Sequence, residues 1–505
     1  MIARRDVLKL AAGGASAFAM GAAHAQGSGA ATVAPFHSAA PLDLARVIAK
    51  APYRAPAADL GEPFSALTYE QYVGIALKPR AAVWADDNLG FVIEPLHRGF
   101  IFTTPMLIHV VENGLARQLV YRQDDFEFGA LKPPPNIPNI GFSGFRVLVA
   151  RNGRLEEVAI FQGASFFRAR APGQPLGLMA RALSVKTADP RGEEFPILKA
   201  VWIERPQAGA NALVIHALVD SESVVGAYRF TLRPGEATII DTEMTLVPRV
   251  NVDHVGVATM SAVCLSTQLD RRRPDDVRPT IAETNGLQMH SGAGEWIWRP
   301  VANRGTLQLS SFVDDNPKGF GFLLRNRRFE DYQDDDLRWQ DRPSLWIEPL
   351  SEFGPGAVSL VEIPAESEGN SNCIAYWRPT SGLTAGKEAT FAYRQFWCWE
   401  PPSRPPLLTA RQERAGRVGA RRRRFIVTFA GEGLANPSMT PDLKPKLTVA
   451  PGALVATRAW LYRDARIYRV AFDIEPGSEA FSEIRLVVEA AGAPVSETWL
   501  YRWTP

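Results

Sequence analysis

Cysteine is scarce, with only Cys264, Cys373 and Cys398 in a chain of 505 residues. The odd count and wide spacing fit no zinc pattern and allow at most one disulfide. All three read as buried small hydrophobes. Histidine is nearly as rare, with seven scattered copies. No two stand at a metal-ligand spacing. The G-x-S-x-G, H-E-x-x-H, Walker A and dinucleotide fingerprints are missing. Asp334-Asp335-Asp336 lacks the glycine and closing glutamate of a calcium loop. Metal, triad and nucleotide chemistry are therefore set aside, and neither a metal nor a cofactor is expected. Charge of one sign is lacking too. The net charge is +2, which offers no global field to nucleic acid or a membrane surface. Past the N-terminus no apolar run approaches the length of a membrane span, so none is expected in the mature chain.

Long helical periodicity is also sparse, whereas Gly 40 and Pro 39 are numerous. Many turns between short apolar runs favour an all-β architecture. Hydrophobic content of 46% and charged content of 22% are those of an ordinary globular protein. The length allows two or more domains.

The first 25 residues read as an export signal. Arg4-Arg5-Asp6-Val7-Leu8-Lys9 is a twin-arginine pattern, and an Ala/Gly-rich apolar segment runs from Leu10 to Ala22. Ala23-His24-Ala25 is an A-x-A cleavage site. Such a leader is an address read by a receptor, and it implies export across the inner membrane.

Residues 26 to 40 read as a lead-in, and Leu42 to Lys50 as a short helix stopped by Pro52. Strands are expected at, among others, Gly90 to Ile93, Gln118 to Tyr121, Phe145 to Ala150, Gly226 to Leu232, Ala237 to Leu246, Ser344 to Glu348 and Cys373 to Trp377. So many strands without alternating helices predict a large antiparallel β-sandwich over 26–400. Pro401-Pro402-Ser403-Arg404-Pro405-Pro406 and the arginines after it read as a linker over 401–420. Six or seven further strand signals over 421–505 fit an immunoglobulin-like sandwich.

The richest window is 310–364. Tyr332, Trp339 and Trp346 lie there among Asp314, Asp315, Asp334, Asp335, Asp336, Glu348 and Glu362. Aromatic rings offer faces to the CH side of a sugar, and carboxylates accept from its hydroxyls. The plainer reading is a solvated acidic loop over a β core. Paired carboxylates could serve glycoside cleavage, one as acid and one as base, but the residues alone do not say which two face each other.

Several strings then stand out together, in order, along the mature chain. They include Phe161-Gln162-Gly163-Ala164-Ser165-Phe166-Phe167-Arg168-Ala169, Gly294-Glu295-Trp296-Ile297-Trp298-Arg299-Pro300, Arg342-Pro343-Ser344-Leu345-Trp346-Ile347-Glu348-Pro349 and Ser496-Glu497-Thr498-Trp499-Leu500-Tyr501. On these strings the chain closely resembles the periplasmic glucan biosynthesis proteins G and D, and its twin-arginine leader is closer to the D type. The resemblance implies a carbohydrate-active type of β-sandwich joined to an immunoglobulin-like domain. It implies a periplasmic protein of osmoregulated glucan synthesis that acts on or binds a β-1,2-glucan backbone. A partner it suggests is the inner-membrane glucan synthesis machinery.

Some members resemble inverting endo-β-1,2-glucanases or transglycosylases with one aspartate as base and another as acid. In this chain the base position falls on Glu283 or Asn285, within Ala282-Glu283-Thr284-Asn285. The acid position falls on Ser371, which donates no proton usefully at neutral pH. Glu366 or Glu368 stands as a substitute acid. The alternative is a non-catalytic glucan-binding or assembly factor. The residues expected to contact glucan are Trp296, Arg299, Asp314, Asp315, Tyr332, Trp339, Trp346, Glu348 and Glu362. For the tryptophans the competing role is core packing. For Arg299 and Arg342 it is pairing with acids inside the fold.

Overall fold

Thr238–Pro248 and Val224–Pro234 show why this sequence makes sheets. Both are rich in β-branched and apolar residues, and they pair antiparallel in unbroken register from Val224 opposite Pro248 to Pro234 opposite Thr238. The structure, a computed structural model, describes residues 32–57, 59–269, 275–435, 442–478 and 481–504. The export signal expected at 1–25 lies outside them. Strands dominate throughout, in keeping with the all-β sandwich reading. Among the described residues no helix is long and apolar enough to cross a membrane.

The chain divides into two compact units. The first takes the described parts of Met1–Pro172, Ala180–Ala258 and Ser381–Gln395. One of its sheets carries, in order, Val33–Pro35, Leu115–Gln118, Leu107–Glu112, Ile197–Glu204, Leu213–Asp220, Val224–Pro234 and Thr238–Pro248. Another carries Phe91–Leu96, Gly144–Arg151, Arg154–Gln162 and Phe166–Ala169. The two pack face to face as a sandwich. Phe161 and Phe167 stack at 5.1 Å from one side and meet Phe230 of the other at 5.5 and 5.4 Å. The helix Ala40–Ile48 begins with Pro41 in its first turn, where a missing N–H costs nothing. Its Leu42, Leu44, Ala45 and Ile48 cover Trp202, Leu218 and Val225.

The strand expected at Gln118 to Tyr121 instead runs Leu115–Gln118. Its hairpin partner ends at Glu112, and Asn113 and Gly114 both have positive φ, 51° and 73°. Asn-Gly is the favoured two-residue hairpin turn, and it starts the strand ahead of the apolar run rather than on it.

His97 in this unit makes stability depend on pH. Its ring is buried against Tyr121 and Phe126. Nδ1–H donates to Arg98 O at 2.5 Å, and Nε2 accepts from Tyr121 Oη at 3.0 Å. Burial above all pushes its pKa down from 6.5 to about 4. The unfolded chain therefore takes up this proton from about pH 6.5 downward, and the folded chain only near pH 4. The stabilisation is complete above pH 6.5 and is lost on acidification, approaching about 3 kcal/mol near pH 4. Urea unfolding at pH 7 and pH 4.5 is expected to show a smaller acid loss for His97→Asn than for the parent. Equal losses would remove His97 as the cause.

The second unit takes Gly173–Met179, Thr259–Thr380 and the described parts of Phe396–Pro505. Ser344–Pro349, Gly319–Leu323, Gly286–His290 and Trp296–Pro300 lie side by side and antiparallel. Thr498–Trp503 continues from Trp296–Pro300 in parallel, followed by Ser482–Ala490 and Lys444–Ala450. A four-stranded sheet of Thr409–Val418, Arg422–Ala430, Ile467–Pro476 and Gly452–Tyr462 packs on this end. Phe425 and Phe472 from one layer meet Trp499 from the other at 6.3 and 6.2 Å.

Three glycines in this unit recur in one geometry. Gly286, Gly319 and Gly356 each stand two residues before the cross-strand partner of a tryptophan: Trp298, Trp346 and Trp377. A Cβ built on them would lie 2.7, 2.3 and 2.4 Å from Cζ2 of the respective indole. Each indole packs against the backbone that the glycine leaves bare, and any larger residue would push it away.

Candidate functional site

All the catalytic and glucan-contact residues expected from the sequence lie in the second unit. Hydrogen bonds and ring contacts sort them into three sets, which the order of residues along the chain does not reveal.

The first set surrounds Glu283. The short strand Ile281–Ala282 pairs with Cys264–Ser266 and delivers Glu283 to its end. Glu283 N donates to Val263 O at 2.8 Å, and Val263 N donates back to Glu283 Oε2 at 2.9 Å. Oε1 accepts from Arg342 Nη1. The Arg342 guanidinium lies 3.8 Å from the centre of the Trp339 ring. Trp339 Nε1 donates to Asp334 Oδ2 at 2.9 Å, and Arg278 Nη1 donates to the same oxygen at 3.0 Å. Arg278 Nη2 also donates to Glu368 Oε2 at 2.7 Å. Burial opposes the charge on Asp334, but hydrogen bonds from Leu337 N–H, Arg278 and Trp339 hold its pKa below the usual range. Alternating charges thus run from Glu283 through Arg342, Trp339, Asp334 and Arg278 to Glu368. Glu283 and Trp339 are buried, and Glu368 is half-exposed.

Ser371 is half-buried. Its neighbour Asn372 donates its N–H to Ala262 O at 3.1 Å, and Asn372 Oδ1 accepts from Cys264 N at 2.7 Å. The expected base and acid positions are therefore anchored to one segment, Ala262 to Cys264. Asn285 brackets the chain next door. Its Oδ1 accepts from Arg325 N and Asn326 N, both at 2.7 Å, and its Nδ2 donates to Tyr332 Oη at 3.3 Å. Tyr332 is fully buried, which pushes its phenol pKa well up.

The second set is aromatic. Trp296 stacks on His290 at 3.9 Å and faces Trp346 at 6.0 Å. Trp346 Nε1 donates to Glu348 Oε1 at 3.0 Å. Asp314 accepts from Gly292 N. Burial, and then Lys318, lower the His290 pKa against the opposing pull of Asp314. Asp315 is exposed beside Asp314. The third set is Arg299 with Glu362, both about 1% exposed. Glu362 Oε2 accepts from Arg299 Nη2 at 3.3 Å, and Oε1 accepts from Ala302 N at 2.9 Å.

Beside Asn285 opens a small, shallow cleft that the sequence reading missed. Trp298 lines it, with the Arg325 guanidinium 3.6 Å from its ring centre. Trp298 Nε1 donates to Glu413 Oε1 at 2.7 Å, and burial raises the Glu413 pKa. Arg325 forks onto Glu497 at 2.6 and 2.9 Å. Trp298 lies within a string already singled out. Glu413 does not, because the stretch 401–420 reads as a linker and its strand Thr409–Val418 hides in the arginine-rich composition. Among the described residues no group of three or more His, Cys, Asp or Glu side chains is placed to hold a metal ion.

The family described as "Periplasmic glucan biosynthesis protein, MdoG" matches residues 36–503. A protein named glucans biosynthesis protein G from Vibrio cholerae serotype O1 is 40% identical over 469 residues, covering 91% of this chain and 85% of that one. One of the same name from Shewanella sp. (strain ANA-3) is 41% identical over 471 residues, with 91% and 85% covered. Among solved structures, a galactose mutarotase related enzyme from Lactobacillus acidophilus aligns with 47% of this chain and 96% of its own, at 7% identity and a TM-score of 0.20.

Proposed function

Because the chain belongs to the family of periplasmic glucan biosynthesis proteins, we propose that it works in the periplasm as a binding protein for the β-1,2-linked backbone of a glucan under synthesis. The leader with Arg4 and Arg5 supports export through the twin-arginine route and the D type of the family. The inner-membrane machinery that makes the glucan is the partner this role requires.

One observation favours binding over cleavage. Glu283, the residue at the base position, has both carboxylate oxygens engaged, by Arg342 and by Val263 N. Ser371 at the acid position has no proton of useful acidity. An inverting glycosidase needs one free carboxylate to activate water and one carboxylic acid to protonate the leaving oxygen. A second reading, hydrolysis or transglycosylation, is favoured by Glu368. It is half-exposed and tied through Arg278, Asp334 and Trp339 to the Glu283 pair. There Glu368 would act as the acid only on release from Arg278, which now holds its carboxylate.

Incubating the mature protein with linear β-1,2-glucan separates the two. Binding without new reducing ends or changed ring size is the expected result. Products that disappear in Glu368→Gln, in a variant as stable as its parent, would replace the binding role with the enzymatic one. Binding to an immobilised partner with no glucan present, and none to glucan itself, would defeat both.

A further inference from the structure

We propose that the outer face of the four-stranded sheet in the second unit docks onto an anionic phospholipid bilayer, through arginines from all four strands and through Trp460 and Tyr462 at its edge.

The register of the sheet sorts its arginines. Phe425 and Val427 of Arg422–Ala430 pair with Phe472 and Val470 of Ile467–Pro476, and all four are buried in the core. Their neighbours along each strand point the other way. That puts Arg422 and Arg424 on the outer face. Arg414 joins them from one side, opposite Ile426, and Arg469 from the other, opposite Thr428. The edge strand Gly452–Tyr462 adds Arg458 opposite Ala471, Trp460 opposite Arg469 and Tyr462 opposite Ile467. These five arginines share the face with two acids of the paired strands, Asp473 and Glu475.

Most of that positive charge is unspent. Arg424 Nε holds Asp473 Oδ1 at 2.7 Å. That hydrogen bond, and then the nearby charges of Arg424, Arg422 and Arg458, lower the Asp473 pKa. Arg414, Arg422, Arg458 and Arg469 form no ion pair among the described residues. Arg414, Arg422 and Arg458 are exposed. Trp460 and Tyr462 are exposed by 42% and 43%, large fractions for aromatic side chains. Arg469 lies 5.3 Å from the centre of the Tyr462 ring, so cation and aromatic edge are continuous. The whole chain carries only +2, which makes the attraction local to this face.

The layout favours a bilayer over a protein. A protein interface keeps charge out of its centre and gathers it at the rim. Here the two central strands carry Arg422, Arg424 and Asp473, and the aromatics stand at the edge. Guanidinium groups grip phosphate through paired N–H donors. Trp and Tyr settle where headgroups meet acyl chains. A charged plane about 14 Å across, at the usual strand spacing, with an aromatic edge is complementary to an anionic lipid surface. The periplasm, where this family works, is bounded by bilayers.

The test is cosedimentation of the full mature chain with vesicles of phosphatidylcholine, with and without phosphatidylglycerol. Pelleting only with the anionic vesicles, weakening as salt rises, is expected. Each arginine removed is expected to cost about 5-fold in vesicle affinity, so Arg422→Ala with Arg458→Ala costs about 25-fold. Trp460→Ala is expected to weaken binding even at high salt, where charges are screened. All three side chains are exposed, so their truncation leaves the core intact. Arg154→Ala, which removes an exposed arginine of the first unit, is expected to change nothing. Failure of the parent to pellet with anionic vesicles overturns the proposal. So does pelleting that the double variant retains, or an equal loss in Arg154→Ala. Release by inorganic phosphate, but not by chloride at the same ionic strength, would make the face a discrete phosphate site and overturn it as well.

Discussion

Replacing Glu362 by alanine is expected to destabilise the protein by about 3–5 kcal/mol, because it strands buried cations. Glu362 is 1% exposed and answers three groups: Arg299, the Ala302 N–H and, at 3.7 Å, Arg304. Arg299 is equally buried, and desolvation lowers its pKa even with Glu362 present. Tyr501 lies against both arginines, 5.6 Å from Arg299 and 4.8 Å from Arg304, and offers only its ring face and one hydroxyl. No other carboxylate is bonded to Arg299 among the described residues, so its charge would be left to the low-dielectric interior. Chemical unfolding measures the loss directly, and Glu348→Ala is the control. Glu348 is half-exposed and accepts from Trp346 and Ser403 without a cation, so its removal is expected to cost about 1–2 kcal/mol. A Glu362→Ala protein within about 1 kcal/mol of its parent, a threshold set by the usual worth of an exposed pair, would mean that the pair is not buried in solution. Glu362 is thereby a residue of the core, and a fall in glucan binding on its removal would first have to be corrected for unfolding.

Glu283→Gln is the second large effect, and it bears on function. The substitution keeps the size and one acceptor but withdraws the charge that Arg342 faces. Breaking a buried pair on one side costs about 3–5 kcal/mol, and the lower end applies here because Arg342 is 12% exposed along its side chain and rests on the Trp339 ring. Adding Arg342→Met is expected to restore part of the stability, since the unpaired cation leaves with it. The measurement is a double-mutant cycle read by urea unfolding, with glucan binding followed on the same four proteins. Binding that tracks the folded fraction in all four makes the pair a scaffold. A binding or product-forming defect in Glu283→Gln that persists where the protein is fully folded would return Glu283 to a direct role. Strict additivity of the two substitutions would show that the side chains do not interact.

The strands were legible because their signal is local. Gly144–Arg151, Cys373–Pro379 and Ser344–Pro349 each lie within a residue or two of where apolar runs between turn residues put them. Gly286–His290 was not foreseen: it is five residues long, and its character comes from neighbours on both sides rather than from its own pattern. Thr409–Val418 was hidden by its arginines, which fit a solvated strand as well as a linker. At the site, residue types were informative and partners were not. Arg299 and Arg342 do pair with acids, but nothing in the sequence says that Glu362 and Glu283 are the acids, 63 and 59 residues away. The contact of Trp298 with Glu413 spans 115 residues. Periodicity carries no information about pairings of that kind, which follow from how the sheets stack. The aromatic window 310–364 likewise reads as one patch, yet Trp339 and Trp346 serve different networks because a strand and a short helical turn carry them apart.

The indoles packed against Gly286, Gly319 and Gly356 have a consequence for exchange with solvent. An amide hydrogen exchanges only when its hydrogen bond opens and water reaches it, and local opening is easiest where little apolar cover must be removed. Here each ring roofs a stretch of backbone that would otherwise be the thinnest part of its strand. Opening such a stretch means tilting a tryptophan out of a packed layer, which couples the glycine's amide to the whole sheet. The residues with the smallest side chains are therefore placed among the slowest to exchange, and the second unit's clock runs on its tryptophans.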